Sequence, residues 1–160
     1  MRLTTVRSRA GKRKIVRRLI LVILLTAVIG ITACTSEPSG SPLSVEDAWA
    51  RPTAVVGGNS AVYLRLINAG SEADILLAVA SPLAIAEVHQ TVMKENDVMG
   101  MEPVDSVEIP AKDEVIFKPG GLHIMLIGLE QPLLVGDLLP LTLHFERGGS
   151  MVVEITVQEQ

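Results

Sequence analysis

The sequence predicts an all-β domain, a sandwich or barrel, over residues 44–160. Three observations carry that expectation. Short apolar runs recur along the segment between turn residues. Several of them alternate apolar and polar residues with the period of two that sends successive side chains to opposite faces of a strand. Helix signals are few.

The elements follow in order as short apolar runs bounded by turn residues: VEDAWA at 45–50, SAVYLRLIN at 60–68, ADILLAVAS at 73–81, AIAEVHQTVM at 84–93, VMGMEPV at 98–104, SVEI at 106–109 and EVIFK at 114–118. The Pro119-Gly120-Gly121 turn then delivers the chain into LHIMLIGL at 122–129, with His123, Met125 and Ile127 on one face and Leu122, Ile124 and Leu126 on the other. That turn is expected to place His123 and Met125 near a sheet edge. The last two strands, LPLTLHFE at 139–146 and MVVEITV at 151–157, show the clearest alternation, and Arg147-Gly148-Gly149-Ser150 joins them as a hairpin.

The segment before the domain has the layout of an export signal. Eight Arg and Lys residues between Arg2 and Arg18 precede an apolar run from Leu19 to Ile31, and Ile31-Thr32-Ala33-Cys34 then resembles a bacterial lipobox. The run is shorter than the roughly 20 residues a spanning helix needs, which favours cleavage and lipidation of Cys34. An uncleaved anchor ending near Ala33 is the alternative, and either outcome puts the domain outside the cytoplasm. The expected organisation is a lipoprotein signal peptide at 1–33, a Ser/Pro/Gly-rich tether at 34–43 and one domain at 44–160. Cys34 is the single cysteine, so the chain can form no internal disulfide and retains no thiolate for catalysis or metal binding.

Removing residues 1–33 leaves six basic groups against 18 acidic ones, a formal net charge of −12. A charge of that sign argues against a nucleic-acid partner and favours accumulation of cations near the domain. The acidic residues fall in turns or on polar faces, and no catalytic triad, telling carboxylate pair, phosphate-cradling loop or H-E-x-x-H is present, so no enzymatic activity is expected.

Sulfur and imidazole side chains cluster instead. Of the six methionines, Met1 is the initiator and Met151 lies in a regular alternating strand, whereas Met93, Met99, Met101 and Met125 fall within 33 residues that His89 and His123 largely bracket. The stretch His89 to Met101 reads as a hairpin turning at Lys94 to Asp97. A register centred on Glu95 sets His89 opposite Met101 and Met93 opposite Asp97, with His89, Met93, Met99 and Met101 on one face. Imidazole and thioether are neutral, soft to intermediate donors that suit Cu(I), and a thioether has no proton to lose. Zinc prefers thiolate, imidazole or carboxylate, and a blue-copper centre needs a cysteine. His144, on the polar side of its strand, reads as a surface histidine. Gln90, Met93 and Met99 are supporting or transient ligand candidates.

These residues fit a known pattern. His89, ten residues after Gln90, Met101, twenty-one residues, His123, Ile124 and Met125 reproduce H(M)-x10-M-x21-H-x-M, and the domain thereby resembles the bacterial PCuAC copper chaperones. VEDAWARPT, AVYLRLIN, EIPA and KPGGLHIMLIGL look like segments of that family, so the resemblance covers nearly the whole domain. It implies a cupredoxin-like Greek-key β-barrel that holds one Cu(I) through His89, Met101, His123 and Met125 near the surface. It also implies delivery toward the dinuclear copper site of cytochrome c oxidase subunit II, alongside a thiol-containing assembly factor, by a monomer that catalyses no reaction. Two departures stand out. Gln90 replaces an optional methionine, and no Met/His-rich C-terminal tail follows, so no second Cu(II) site is expected. The competing expectation is a structural or interaction lipoprotein whose β-barrel binds no metal.

Overall fold

The structure, a computed structural model, describes residues 42–159. The expected signal peptide at 1–33, Cys34 and the tether through residue 41 lie outside the described residues. Within them the chain forms ten strands: β1 (Leu43–Ala50), β2 (Ser60–Asn68), β3 (Asp74–Ala80), β4 (Ile85–Met93), β5 (Met99–Pro103), β6 (Val107–Ile109), β7 (Asp113–Phe117), β8 (Leu122–Ile127), β9 (Leu138–Phe145) and β10 (Gly149–Val157). One 3-10 turn, Glu95–Asp97, joins β4 to β5. Each apolar run read as a strand is one. Leu43, assigned to the tether, is instead the first residue of β1, buried and paired with Asn68, so the domain begins slightly earlier than expected.

The strands form a single sheet in the order β5-β4-β8-β2-β1-β10-β9-β3-β6, with β7 also on β2. Neighbours far apart in sequence alternate with hairpins, as in Greek-key connections. β1 and β10 pair in parallel, and the other named pairs are antiparallel. The sheet curls into a half-barrel until β3 approaches β4, leaving a seam lined by Leu76, Val79, Ala86, Val88 and Pro103. There is one curled sheet, not two facing sheets of a sandwich.

Alternation explains what the curl encloses. On β9, Leu139, Leu141 and Leu143 are fully buried while Pro140, Thr142 and His144 are only partly covered. Leu64 and Leu66 of β2, Ile124 and Leu126 of β8, and Ile155 of β10 complete the interior. Each such side chain contributes about 1.5–3 kcal/mol by leaving water. With two Phe, one Trp and one Tyr in the chain, aliphatic residues must supply nearly all of this core.

Polar side chains secure the ends of the sheet. Buried Asp74 at the start of β3 accepts the Arg147 and Gly148 amides at 3.0 and 2.7 Å, holding the β9–β10 turn onto β3. Arg65 on β2 reaches Glu114 of β7 at 2.5 Å and Asp47 of β1 at 3.0 Å. Those hydrogen bonds, Glu114 first, keep its guanidinium even more firmly protonated than usual.

β2 is shared by two partners on one side. Its second half, Leu64 to Asn68, pairs with β7, and its first residues, Ser60 to Val62, pair with β8. β7 and β8 are thus one strand interrupted by an excursion at 118–121. Gly120, with φ 74°, makes the reversal, and Lys118 N–H to Leu122 O at 2.7 Å closes the loop. The excursion sits directly ahead of His123.

Candidate metal centre

β8 organises the site. Its period of two sends Ile124 and Leu126 into the core and turns His123, Met125 and Ile127 to the opposite face, as the sequence predicts. The ladder sets His123 directly opposite His89 of β4, and Met125 between Glu87 of β4 and Ala61 of β2. Small Ala61 leaves Met125 partly open. β8 is not at an edge, contrary to the expectation: it lies between β4 and β2. The site is reachable because it occupies the outer face of the curled sheet.

One row of rings crosses four strands on that face. Trp49 and Tyr63 have centroids 4.6 Å apart, Tyr63 and His123 6.5 Å, and His123 and His89 6.0 Å. These flanking rings keep His123 only 5% exposed, although it points away from the core. Two imidazoles sharing an ion at about 2.0 Å from each nitrogen need about this ring separation.

The hairpin register differs from the expected one. Met93 faces Met99, Thr91 faces Met101 and His89 faces Pro103, so the turn centres on Asn96 and not Glu95. The cause lies in the turn itself. Asp97 adopts φ 58°, a left-handed state that Asp tolerates, and Lys94 N–H bonds Val98 O at 2.8 Å, lengthening the loop by one step. His89 is therefore not opposite Met101, nor Met93 opposite Asp97. A one-residue move of the centre shifts every partner by two, which preserves the faces. His89, Met93, Met99 and Met101 share the face that carries His123 and Met125.

Each histidine has one nitrogen already committed. His123 Nδ1 lies 3.0 Å from Gly121 O, and a carbonyl only accepts, so Nδ1 carries the proton and Nε2 keeps its lone pair. The same carbonyl accepts Thr91 N–H at 3.2 Å, tying the 118–121 excursion to β4. His89 Nε2 lies 3.0 Å from the Glu87 carboxylate, which makes Nε2 the donor there. Its Nδ1 is then a buried lone pair without a hydrogen-bond partner among the described residues. An orphaned buried acceptor is costly unless something else occupies it, and a soft cation would.

Met99, Met101, His123 and Met125 line one open cavity of about 620 Å³, together with Tyr63 and Arg51. His89 lies beside it through its ring contact with His123. Met93 stands farther out on the hairpin, 65% exposed. Among the described residues no three His, Cys, Asp or Glu side chains come together as a metal site, and the side chains beside His123 add thioether sulfur to imidazole. The donors present, two neutral imidazoles and thioethers, fit Cu(I) in number and softness.

Other candidates fall elsewhere. Gln90 alternates to the other face of β4 and donates to Thr91 O at 3.3 Å. His144 pairs with Ser150 Oγ at 2.8 Å on β9, away from the cluster, and Cys34 is outside the described residues. Sequence reasoning missed Glu87, Tyr63, Trp49 and the Gly121 carbonyl. Glu87 had a usable signal, being two residues from His89 on the same strand. The ring row had none, since it requires knowing that β1, β2, β8 and β4 are neighbours.

The family model described as "Putative lipoprotein LpqE-like" matches residues 43–157. A relative from Leifsonia xyli subsp. xyli (strain CTCB07), named "Putative lipoprotein Lxx21020", is 30% identical over 142 residues, covering 82% of this chain and 84% of its own. The apo PCuAC domain from PmoF1 is similar in structure, with a TM-score of 0.61 and 27% identity over 74% of this chain and 95% of that one. The solution structure of CuI-DR1885 from Deinococcus radiodurans gives a TM-score of 0.55 and 28% identity over 81% of this chain and 84% of that one. These likenesses agree with the expected all-β, cupredoxin-like architecture.

Proposed function

The chain belongs to the LpqE-like family, and from that premise we propose that it is an extracytoplasmic Cu(I) carrier, held to a membrane by lipid on Cys34. One Cu(I) binds through His89, Met101, His123 and Met125. The observation that carries this reading is the His89–His123 pair, 6.0 Å apart across β4 and β8, with one nitrogen of each ring tied down and the other left as a lone pair. The copper(I) named for the DR1885 structure, 28% identical to this chain, supports the choice of cargo.

The ligand set explains how a carrier releases what it holds. All four donors are neutral, so Cu(I) leaves without a proton entering each site, and an acceptor can replace them one at a time. Gly121 O and Glu87 keep the imidazoles oriented while this exchange proceeds. Met101, 56% exposed, is the ligand an acceptor meets first. Only metal–ligand bonds change, so the protein is a carrier and not an enzyme. The PCuAC resemblance supports the dinuclear copper site of cytochrome c oxidase subunit II, or a thiol-containing assembly factor, as the acceptor. The carrier acts as a monomer.

The test is competition with a Cu(I) chelator. The protein should take about one Cu(I) per chain into the tight site, and His123→Ala with Met125→Ala should abolish it, while X-ray absorption reports both nitrogen and sulfur donors. Unchanged uptake in the double variant would refute the assignment. No uptake by the parent chain would leave a β-barrel lipoprotein that acts through protein contacts.

A further inference from the structure

We infer that the β4–β5 hairpin carries a second soft-metal site, a thioether capture site for Cu(I) formed by Met93, Met99 and Met101. It deepens the carrier reading and rests on it. Met93 and Met99 are directly opposed, the last pair before the turn, and Met101 is the next residue on the same face of β5. Opposed side chains have Cβ atoms about 4.5–5.5 Å apart, within reach of one ion at metal–sulfur bonds of about 2.3 Å once the flexible thioethers close on it.

Burial argues that packing is not their purpose. Met93, Met99 and Met101 are 65%, 62% and 56% exposed, with Val98 beside them at 58%, on an edge hairpin that contributes Val88 to the core from the opposite face. On the hairpin's other face the Lys94 stem lies over Gly100 and its ammonium reaches Glu102 at 3.8 Å, so the polar and sulfur faces are segregated. Three exposed thioether side chains on one face of the hairpin are the kind of patch that marks a binding site. The charge around them favours a cation, since Glu87, Glu95, Asp97 and Glu102 outnumber Lys94 along the hairpin.

Met101 links the two sites. It closes the hairpin cluster and also lines the cavity that holds His123 and Met125. An ion captured by three neutral thioethers reaches the imidazoles by exchanging ligands about Met101, with no proton released and no change of oxidation state. Once the first ion holds Met101, the hairpin keeps only Met93 and Met99 and lacks an imidazole, so it binds a second ion more weakly and fills second.

The test is a titration of the full chain with Ag(I), a redox-inert ion that takes the same soft donors, following the methyl resonances of each methionine and the His123 ring. Between zero and one equivalent His123 and Met125 should shift. Between one and two equivalents Met93 and Met99 should shift, and Met93→Leu with Met99→Leu, which keeps volume, should lose this second step alone. Met93 and Met99 methyls that stay still while His123 and Met125 respond would overturn the capture site and leave the carrier reading standing. Retention of the second step in the double variant would overturn it too. If no methionine or histidine responds, both readings fall together.

Discussion

Glu87 has no place in the H(M)-x10-M-x21-H-x-M pattern, yet at the residue scale it decides which His89 nitrogen is free. Its carboxylate fixes the proton on Nε2 and leaves Nδ1 as a buried lone pair. In Glu87→Ala the metal-free protein should show His89 as a mixture of tautomers by nitrogen NMR, and Cu(I) affinity should fall about tenfold in chelator competition. Glu87→Gln should restore the single tautomer, because the amide oxygen still accepts from Nε2. An unchanged His89 spectrum in Glu87→Ala would mean that the hydrogen bond positions nothing. The face shared by His123 and Met125 is legible in the sequence, since it needs only the period of two. The centre of the 94–98 turn is not, because it depends on whether Glu95, Asn96 or Asp97 takes the left-handed state, and more than one of them can.

At the element scale, the β9–β10 hairpin shows what alternation can and cannot reveal. Leu139, Leu141 and Leu143 announce their strand and its buried face. The anchor of its turn lies more than seventy residues earlier in the chain, where Asp74 accepts the Arg147 and Gly148 amides. Asp74→Ala leaves those donors unmatched and should cost about 2–4 kcal/mol, read as a lower urea midpoint with an unchanged slope. A loss below about 0.5 kcal/mol would show that water satisfies the turn equally well. The β7–β8 excursion follows the same logic. Pro119-Gly120-Gly121 reads as a turn from composition alone, but a hairpin turn and a detour between two segments on one side of β2 look alike in sequence.

For the whole molecule, a single curled sheet separates stability from binding. The aliphatic interior occupies one face and the ring row with its methionines the other, so damage to one need not reach the other. Leu64→Ala should destabilise the fold by about 2–5 kcal/mol in urea denaturation while the Cu(I) stoichiometry at low temperature stays the same. Loss of binding with the fold retained would mean that the two faces are coupled. The ring row also supplies a reporter. Trp49 is the single tryptophan and packs at a tilt against Tyr63, which neighbours His123, so Cu(I) loading should change its fluorescence with a break at one equivalent. A flat response would place the ion away from His123.

The sequence by itself determined the all-β class, the ten strands, the faces of β8, of the β4–β5 hairpin and of the last two strands, and the residue types that suit a soft monovalent ion. All of these follow from local rules, the two-residue period of a strand and the donor chemistry of imidazole and thioether. Only the tertiary structure decided which strands are neighbours, and therefore that His89 meets His123 and not Met101, that Met93 meets Met99, and that Glu87 and Gly121 orient the two rings. Strand order and register are set by packing and turn geometry between residues distant in sequence, and no local pattern encodes them.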